Sequence, residues 1–280
     1  MKGRVLIVAG SDSGGGAGIQ ADIKTVTALG GFAMTALTAL TAQNTRGVHG
    51  IHAVPEAFIT QQIDVVLSDL GADAVKTGML HSPAVIETVV AALAQTDAPL
   101  VVDPVMRAKG GAALLQPEAQ AALTELLLPR AAVLTPNVPE AEALTGMSIE
   151  TAADLRRVGE ALLALGPQAV LMKGGHLPGA AMTDLLVTAE GASAIGLGRA
   201  RRETPHTHGT GCTLASAITA GLAQQMTLQR AVERAVAYVD RAIASAPGFG
   251  GGHGTINHAH PLEAAADDWF AADVADETSA

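Results

Sequence analysis

Residues 5–18 read VLIVAGSDSGGGAG, and this stretch decides the fold. Its first five residues, Val5–Ala9, form an apolar run without polar alternation, which is typical of a strand buried on both faces of a parallel sheet. A glycine-rich turn follows at once, and the residues after it predict a helix over 17–29. A buried strand, a tight turn and a helix make up the first part of a βαβ unit.

The same alternation of apolar runs and amphipathic stretches continues outward from this unit, and Pro55 and Pro83 are placed to begin two helices. The other predicted strands are 34–40, 74–76, 100–103, 132–134 and 169–173, and the later helices are 117–128, 138–145, 151–165, 211–223 and 227–244. Residues 183–188 and 192–197 predict an antiparallel hairpin. We therefore expect an α/β fold of three layers, with a mostly parallel central sheet, helices on both faces and a small antiparallel hairpin.

The chain is predicted to form one domain over residues 1–270. It has 280 residues, and its sequence contains no linker, low-complexity tract or internal repeat. A chain of this length buries about three-quarters of its surface on folding, which is enough for a full core. Residues 271–280 are small and acidic, so we expect a disordered tail there.

Composition and charge exclude several classes of protein. Seventeen basic against 27 acidic residues give a net charge of −10, and aromatic residues make up only 2%, so we expect no nucleic-acid partner. The single cysteine, Cys212, cannot form an intrachain disulfide, which favours a reducing compartment. The apolar run near the N-terminus is too short for a signal peptide or a membrane span. We expect a cytoplasmic protein without a membrane partner.

Polar segments follow the predicted strands, where open parallel sheets bind their ligands. These segments are 10–18, 41–44, 76–79, 103–106, 135–140 and 173–176, and a further one, 207–212, precedes a helix. The Gly10–Gly18 loop matches neither the phosphate-binding loop of the NTPases nor the dinucleotide-binding fingerprint. By itself it is as consistent with a tight turn as with a backbone that approaches a ligand.

The segment Gly209-Thr210-Gly211-Cys212 carries a stronger signal. Small residues at a helix start leave N–H groups free at the positive end of the helix dipole, and this arrangement binds anions. A thiol in that position is expected to have a lowered pKa and to act as a base or nucleophile. The alternative is an inert cysteine packed beneath a helix.

Asp103 and Glu140 each follow a predicted strand and adjoin a proline. Two carboxylates beside a phosphate site suit Mg²⁺, which keeps several of its waters. Lys173 ends an apolar run and would place a positive charge near phosphates. The nine histidines show no metal-ligand spacing, and the three near the C-terminus, His253, His258 and His260, are expected to face solvent.

Taken together, these segments resemble a known family, the hydroxymethylpyrimidine/phosphomethylpyrimidine kinases of thiamine biosynthesis, which belong to the ribokinase-like superfamily. The resemblance runs in order from about residue 5 to about residue 260. Its motifs are AGSDSGGGAGIQAD at 9–22, ALTAQNTRGV at 39–48, KTGML at 76–80, TPNVPEA at 135–141, KGGH at 173–176 and THGTGC at 207–212.

The resemblance implies two successive phosphorylations by ATP, first of the hydroxymethyl oxygen of the pyrimidine and then of the resulting monophosphate. It also implies a ribokinase-like fold, a homodimer and a role for each matching residue. Gln43 would hydrogen-bond the aminopyrimidine, with Asp22, Gly10 and Met79 around the ring. Gly209, Thr210 and Gly211 would form the anion hole beside the catalytic Cys212, where most of the superfamily carries an aspartate. Asp103 and Glu140 would position Mg²⁺, and Lys173, Thr207 and His208 would bind ATP.

The sequence leaves three other functions open. A pyridoxal kinase shares the fold, the nucleotide and the reaction, and only Gln43 and Cys212 favour the pyrimidine. A non-catalytic ligand-binding module is a second alternative, although the glycines, acids and lysine that such a module would lose are all present. A dinucleotide-dependent dehydrogenase is a distant third, because its glycine spacing is absent.

Overall fold

The computed structural model describes residues 1–176 and 181–263. Its strands are β1 (Arg4–Asp12), β2 (Phe32–Asn44), β3 (Gly47–Ala53), β4 (Ala74–Thr77), β5 (Leu100–Val102), β6 (Ala131–Leu134), β7 (Ala169–Met172), β8 (Ala181–Thr188) and β9 (Gly191–Ala200). Its α-helices are α1 (Gly18–Ala28), α2 (Glu56–Asp69), α3 (Pro83–Ala92), α4 (Ala119–Ala122), α5 (Val138–Thr145), α6 (Ala152–Leu163), α7 (Thr210–Ala223) and α8 (Leu228–Ala244).

These strands form one sheet in the order β3-β2-β1-β4-β5-β6-β7-β8-β9. The six strands from β2 to β7 in this order are parallel, whereas β3 at one end and β8 and β9 at the other pair antiparallel. The parallel strands therefore end at the same edge of the sheet, and the polar segments that follow them meet there.

Strand β1 explains why the sheet lies between two helical layers. Each residue of Val5–Ala9 is at most 1% exposed. Leu6 and Val8 belong to the core on the side of α2 and α3, whereas Val5 and Ile7 pack in a cluster with residues of α1. Each fully buried aliphatic side chain of this size contributes about 1.5–3 kcal/mol to stability. An apolar run without alternation is thus what a strand with helices on both faces requires.

The predicted α/β fold of three layers and the antiparallel hairpin are confirmed, with β8 and β9 at the predicted place. Strand β3 was missed, because an exposed edge strand shows little apolar patterning. The prediction of a single helix over 117–128 is wrong. α4 ends at Ala122, and the chain goes on as a wide π turn over Leu123–Leu127 and a 3₁₀ turn over Leu128–Arg130. Pro129 has no N–H with which to continue the helical hydrogen bonds.

Two further expectations concern the chain outside the sheet. No α-helix within residues 1–176 and 181–263 is long and apolar enough to cross a bilayer. The acidic tail predicted over residues 271–280 lies outside the described residues, and so does the end of the domain predicted over 1–270.

The expectation that His258 faces solvent is wrong, since the residue is only 4% exposed. Its Nε2 lies 3.0 Å from Oγ1 of Thr213 in α7, and its carbonyl accepts a hydrogen bond of 2.6 Å from Tyr238 Oη of α8. The segment that follows α8 therefore folds back onto the helices. Burial lowers the pKa of His258 to about 4, and the neighbouring basic groups of Lys24, His208 and His260 add to this effect.

A histidine that is buried neutral makes stability depend on pH. Its contribution is fully present above pH 6.5, where the unfolded chain is also neutral, and is lost as the pH falls toward 4. We expect His258 to lower the free energy of unfolding by about 2 kcal/mol between pH 7 and pH 5. Urea unfolding of His258→Gln should lack this part of the pH dependence, whereas the exposed control His253→Gln should keep it. Equal pH dependence in both variants would contradict the assignment.

Candidate active site

The start of α7 is set by Gly209, which has a left-handed φ of +83°. A Cβ at this position would overlap the carbonyl oxygen of Gly16, so only glycine fits. Thr210 Oγ1 donates to the carbonyl of Thr207 at 3.1 Å and ties the helix start to the preceding loop. Gly209 has no side chain to cap the helix, and the Thr210 N–H makes only a long hydrogen bond of 3.4 Å with the Thr207 carbonyl. The helix start and the positive end of its dipole can therefore receive an anion.

One lysine and two carboxylates lie beside this helix start. Lys173 Nζ is 3.4 Å from Asp103 Oδ1 and 3.9 Å from Glu140 Oε2. A Cβ at Gly211 would lie 3.5 Å from both Asp103 Oδ2 and Lys173 Nζ. Burial opposes the charge of Lys173, but the two carboxylates outweigh it and raise its pKa. The fold thus brings together four predicted site residues from the ends of β5 and β7 and the starts of α5 and α7.

Glu140 is held by the first turn of α5. Asn137 N donates to Glu140 Oε2 at 2.8 Å, and Glu140 N donates to Asn137 Oδ1 at 2.9 Å, which completes a capping box. Burial raises the pKa of Glu140 to about 7, and the neighbouring charge of Asp103 adds to the rise, while Lys173 opposes it. A cation bound here would favour the ionised form of this carboxyl group.

The donor set beside Lys173 fits Mg²⁺ that is shared with a phosphate. Mg²⁺ takes oxygen ligands, keeps several waters and commonly uses one or two carboxylates together with substrate phosphates. Asp103 and Glu140 supply such a pair. Within the described part of the chain no three His, Cys, Asp or Glu residues are grouped to hold a metal by themselves. Phosphate oxygens and water would therefore complete the coordination.

Cys212 lies in the first turn of α7 and is half-buried. The predicted lowering of its pKa is wrong. Loss of solvent around the thiol raises its pKa to about 12, and although the ammonium of Lys76 opposes the rise, the carboxylates of Asp22 and Asp103 add to it. The thiol is therefore neutral at pH 7, and the helix dipole does not overcome burial and nearby negative charge.

This protonation state predicts slow alkylation of Cys212. At pH 7.5 the thiolate fraction is about 10³-fold below that of a free cysteine. A thiolate of higher pKa is more nucleophilic, which recovers part of the loss, so we expect labelling by iodoacetamide to be about 100-fold slower than for free cysteine. Mass spectrometry of the native protein measures this rate. Labelling as fast as for free cysteine would contradict the raised pKa, and the urea-unfolded chain is the control for reagent activity.

Asp22 lies beneath the start of α7 and is paired inside the protein. It is fully buried, its Oδ2 is 2.9 Å from Lys76 Nζ, and its Oδ1 accepts a hydrogen bond of 2.7 Å from Ser216 Oγ. Burial opposes the charge on Lys76, but the carboxylate outweighs it and raises the pKa of the lysine. Both oxygens of Asp22 thus have internal partners. Lys76 was missed as a site residue, although a lysine inside a strand predicted to be buried calls for a buried partner.

Two residues predicted to surround the ring lie in contact with each other. A Cβ at Gly10 would approach Met79 Cε to 2.6 Å, so the glycine makes room for the methionine. Met79 packs in a small apolar cluster with Ala39 and Leu114. This cluster offers an apolar wall next to the polar end of β1.

Asp12 organises the glycine-rich loop and was also missed. Its carboxylate accepts hydrogen bonds from the backbone N–H groups of Gly14, Gly16 and Ala17 at 2.8, 3.1 and 2.8 Å. Burial would raise its pKa, but hydrogen bonds with His208 and the loop amides outweigh this and lower it. An aspartate directly before a serine–glycine run is typical of such turns, and this pattern could have identified Asp12 from the sequence.

His208 lies beside Gln43 and Asp12. Its Nε2 is 2.9 Å from Asp12 Oδ2 and 3.3 Å from Gln43 Nε2. Its backbone N–H donates to the carbonyl of Gly254 at 3.1 Å, so the segment after α8 holds it in place. The contacts of His208 are therefore with the residue assigned to the pyrimidine, and the assignments of Thr207 and His208 to ATP stay predictions.

Comparison with known proteins agrees with this arrangement. Residues 12–257 match the family described as phosphomethylpyrimidine kinase. A hydroxymethylpyrimidine/phosphomethylpyrimidine kinase of Streptomyces coelicolor is 50% identical over 258 residues, which cover 92% of this chain and 95% of that protein.

Two solved structures resemble the fold closely. A phosphomethylpyrimidine kinase from Clostridium difficile superimposes with a TM-score of 0.77 at 45% identity, covering 86% of this chain and 100% of the other. An ADP complex of Bacillus subtilis pyridoxal kinase gives a TM-score of 0.85 at 36% identity, with 94% and 100% covered. The family match spans most of the chain and the site residues converge at one edge of the sheet, and we conclude that the chain belongs to the phosphomethylpyrimidine kinase family.

Proposed function

We propose that this protein uses ATP to phosphorylate 4-amino-5-hydroxymethyl-2-methylpyrimidine and then its monophosphate, as part of thiamine diphosphate biosynthesis. The observation that carries the proposal is the approach of α7 to the charged cluster, with a Cβ at Gly211 only 3.5 Å from both Asp103 and Lys173. A transferring phosphoryl group needs this combination of free N–H groups, a cation and carboxylates for Mg²⁺. Gln43 lies at the same edge of the sheet, on the side of the glycine-rich loop.

Each residue has a proposed task. The N–H groups of Gly209, Thr210 and Gly211 receive the γ-phosphoryl oxygens, and Lys173 offsets their negative charge. Asp103 and Glu140 would hold Mg²⁺, which when bound would neutralise the charge that develops on the phosphates. In each turnover an acceptor oxygen forms a bond to the γ-phosphorus, and the bond to the ADP oxygen breaks. In the first step the hydroxymethyl group loses its proton, whereas in the second step the acceptor phosphate oxygen is already ionised and no proton is released.

Positioning and charge neutralisation carry most of the rate in this proposal. General-base catalysis contributes about 10²–10⁴-fold at most, and a thiol with a pKa of about 12 is protonated before reaction. Cys212 therefore serves first to shape the space for the acceptor oxygen. Its replacement by serine should leave measurable turnover.

A turnover assay with ATP and Mg²⁺ tests the function. We expect kcat/KM for the aminopyrimidine to exceed that for pyridoxal, and the second phosphate to be added to the purified monophosphate. The 50% identity to a kinase named for both steps favours this result, while the 36% identity to a pyridoxal kinase makes pyridoxal the competing substrate to measure. A higher kcat/KM for pyridoxal would overturn the assignment.

Replacing Gln43 is expected to weaken binding of the pyrimidine without affecting binding of ATP. Its carboxamide can donate and accept, as the adjacent amino group and ring nitrogen of a 4-aminopyrimidine require. In Gln43→Ala the ring groups lose their partners, which costs about 1–3 kcal/mol, so KM for the pyrimidine should rise roughly 5- to 150-fold. KM for ATP should stay within about two-fold in the same steady-state measurements, and an unchanged KM for the pyrimidine would refute the contact.

We also propose a homodimer in a reducing, cytoplasmic setting. The family resemblance supports the dimer, and the single cysteine supports the compartment. Light scattering at micromolar concentration should give about twice the chain mass of 28.2 kDa. A mass near that of one chain would remove the proposal of a dimer.

A further inference from the structure

The contacts of Gln43 raise a question about which of its side-chain atoms faces which neighbour. Asp12 accepts three backbone N–H groups and has a lowered pKa, so it is a carboxylate. A carboxylate only accepts hydrogen bonds, so the His208 Nε2 that lies 2.9 Å away must carry the hydrogen. A protonated Nε2 has no lone pair, so it cannot accept a hydrogen bond from the Gln43 amide nitrogen that lies 3.3 Å away.

A donor at His208 Nε2 requires an acceptor on Gln43. With the amide nitrogen on that side, two donors would face each other, whereas a half-turn of the carboxamide places its oxygen there. The other end of the carboxamide lies 3.2 Å from Thr41 Oγ1. The hydroxyl hydrogen of Thr41 goes to the carbonyl of Ser11 at 2.8 Å. Thr41 Oγ1 can therefore accept from Gln43, and the half-turn satisfies both neighbours at once.

We propose that Asp12 and His208 form a positioning pair that holds the Gln43 carboxamide with its oxygen toward His208 and its NH₂ group toward Thr41. The second lone pair of the oxygen and the second hydrogen of the NH₂ group then face the substrate in one fixed order. The site selects a ring that presents a donor next to an acceptor in the matching order. This inference rests on the proposed function and deepens it, because it names the residues that set substrate selection.

The Asp12–His208 pair also fixes the position of Gln43 relative to the start of α7. Asp12 holds the N–H of Gly16, and a Cβ at Gly209 would overlap the carbonyl of that same glycine. His208 directly precedes Gly209 in the chain. The carboxamide of Gln43 and the start of α7 are therefore placed by one set of contacts, which is how a ring held by Gln43 would meet the anion hole in register.

The first test measures which ring nitrogen of His208 carries the hydrogen, and it does not depend on enzyme activity. Nitrogen-15 NMR of the full chain at pH 7.5 should show a hydrogen on Nε2 of His208, and a His208→Gln spectrum assigns the signal. A wild-type protein with Nε2 unprotonated would overturn the proposal.

The second test pairs a variant with a substrate analogue. In the wild type, removing the 4-amino group of the pyrimidine should raise KM at least five-fold. In His208→Leu this penalty should fall below two-fold whatever the change in kcat, because Gln43 can turn to suit either ring. His208→Gln, which offers an N–H at a similar reach, should restore most of the penalty.

The exposed His49, whose Nε2 lies 3.3 Å from Asn44 Oδ1 outside this network, provides the control. His49→Leu should keep the wild-type penalty. An equal rise in KM for both rings in His208→Leu would show a merely structural role and overturn the proposal. A wild type that does not phosphorylate the pyrimidine would refute the proposed function instead, and the NMR result would still decide the positioning pair.

Discussion

Replacing Gly209 by alanine is expected to lower kcat by 100-fold or more. The added methyl group would overlap the carbonyl of Gly16, and the residue would also hold an unfavourable φ of +83°. The start of α7 must then move away from the glycine-rich loop. Displacing a group that positions a reacting phosphoryl by about 1 Å costs on the order of 10²-fold in rate. Steady-state kinetics at saturating ATP and pyrimidine measures the loss.

Gly30 provides a matched control for Gly209. Its φ is +79°, but no atom of residues 1–176 and 181–263 lies within 4 Å of a Cβ built there. Gly30→Ala therefore introduces the same backbone strain without the overlap, and it should cost about 1 kcal/mol of stability with kcat unchanged. If Gly209→Ala keeps more than a tenth of the wild-type kcat, the contact between α7 and the loop is not what positions the phosphoryl group.

Glu140→Gln should lower kcat by ten-fold or more and raise the Mg²⁺ concentration needed for half-maximal rate. The substitution removes a negative charge 3.9 Å from Lys173 Nζ, and with it one of two carboxylates that would hold the cation. Binding of the pyrimidine in the absence of nucleotide, measured by calorimetry, should change less than two-fold. A variant that turns over like the wild type at saturating Mg²⁺ would refute the metal assignment.

The capping role of Glu140 requires its own control, because a lost helix cap would also reduce activity. Glutamine still accepts the hydrogen bond from Asn137 N, since it is the other residue common at this position of a capping box. Tm of Glu140→Gln should therefore stay close to that of the wild type. Glu160→Gln on the exposed face of α6, where Glu160 forms a surface ion pair with Arg156, should change neither kcat nor the Mg²⁺ requirement.

Local sequence patterns determined the buried strand β1, the start of α7 and the edge of the sheet at which the charged residues meet. The unbroken apolar run Val5–Ala9 required a strand covered on both faces, and the small residues after Gly209 required an uncapped helix start. The carboxyl ends of parallel strands share one edge, so the acids and lysine that follow β5, β6 and β7 were expected to meet there. In each case the physical requirement acts over a few neighbouring residues, and it can be recognised wherever those residues occur.

Only the tertiary structure decided which distant residues became partners. Asp12 and His208 are 196 positions apart, and Lys76 reaches Asp22 across the buried space between β4 and α1. Periodicity indicates which side of an element is buried and does not identify the residue that packs against it. The pKa of Cys212 was predicted with the wrong sign for the same reason. A helix dipole belongs to the local sequence, whereas desolvation and the sum of neighbouring charges depend on everything that the fold brings around the thiol.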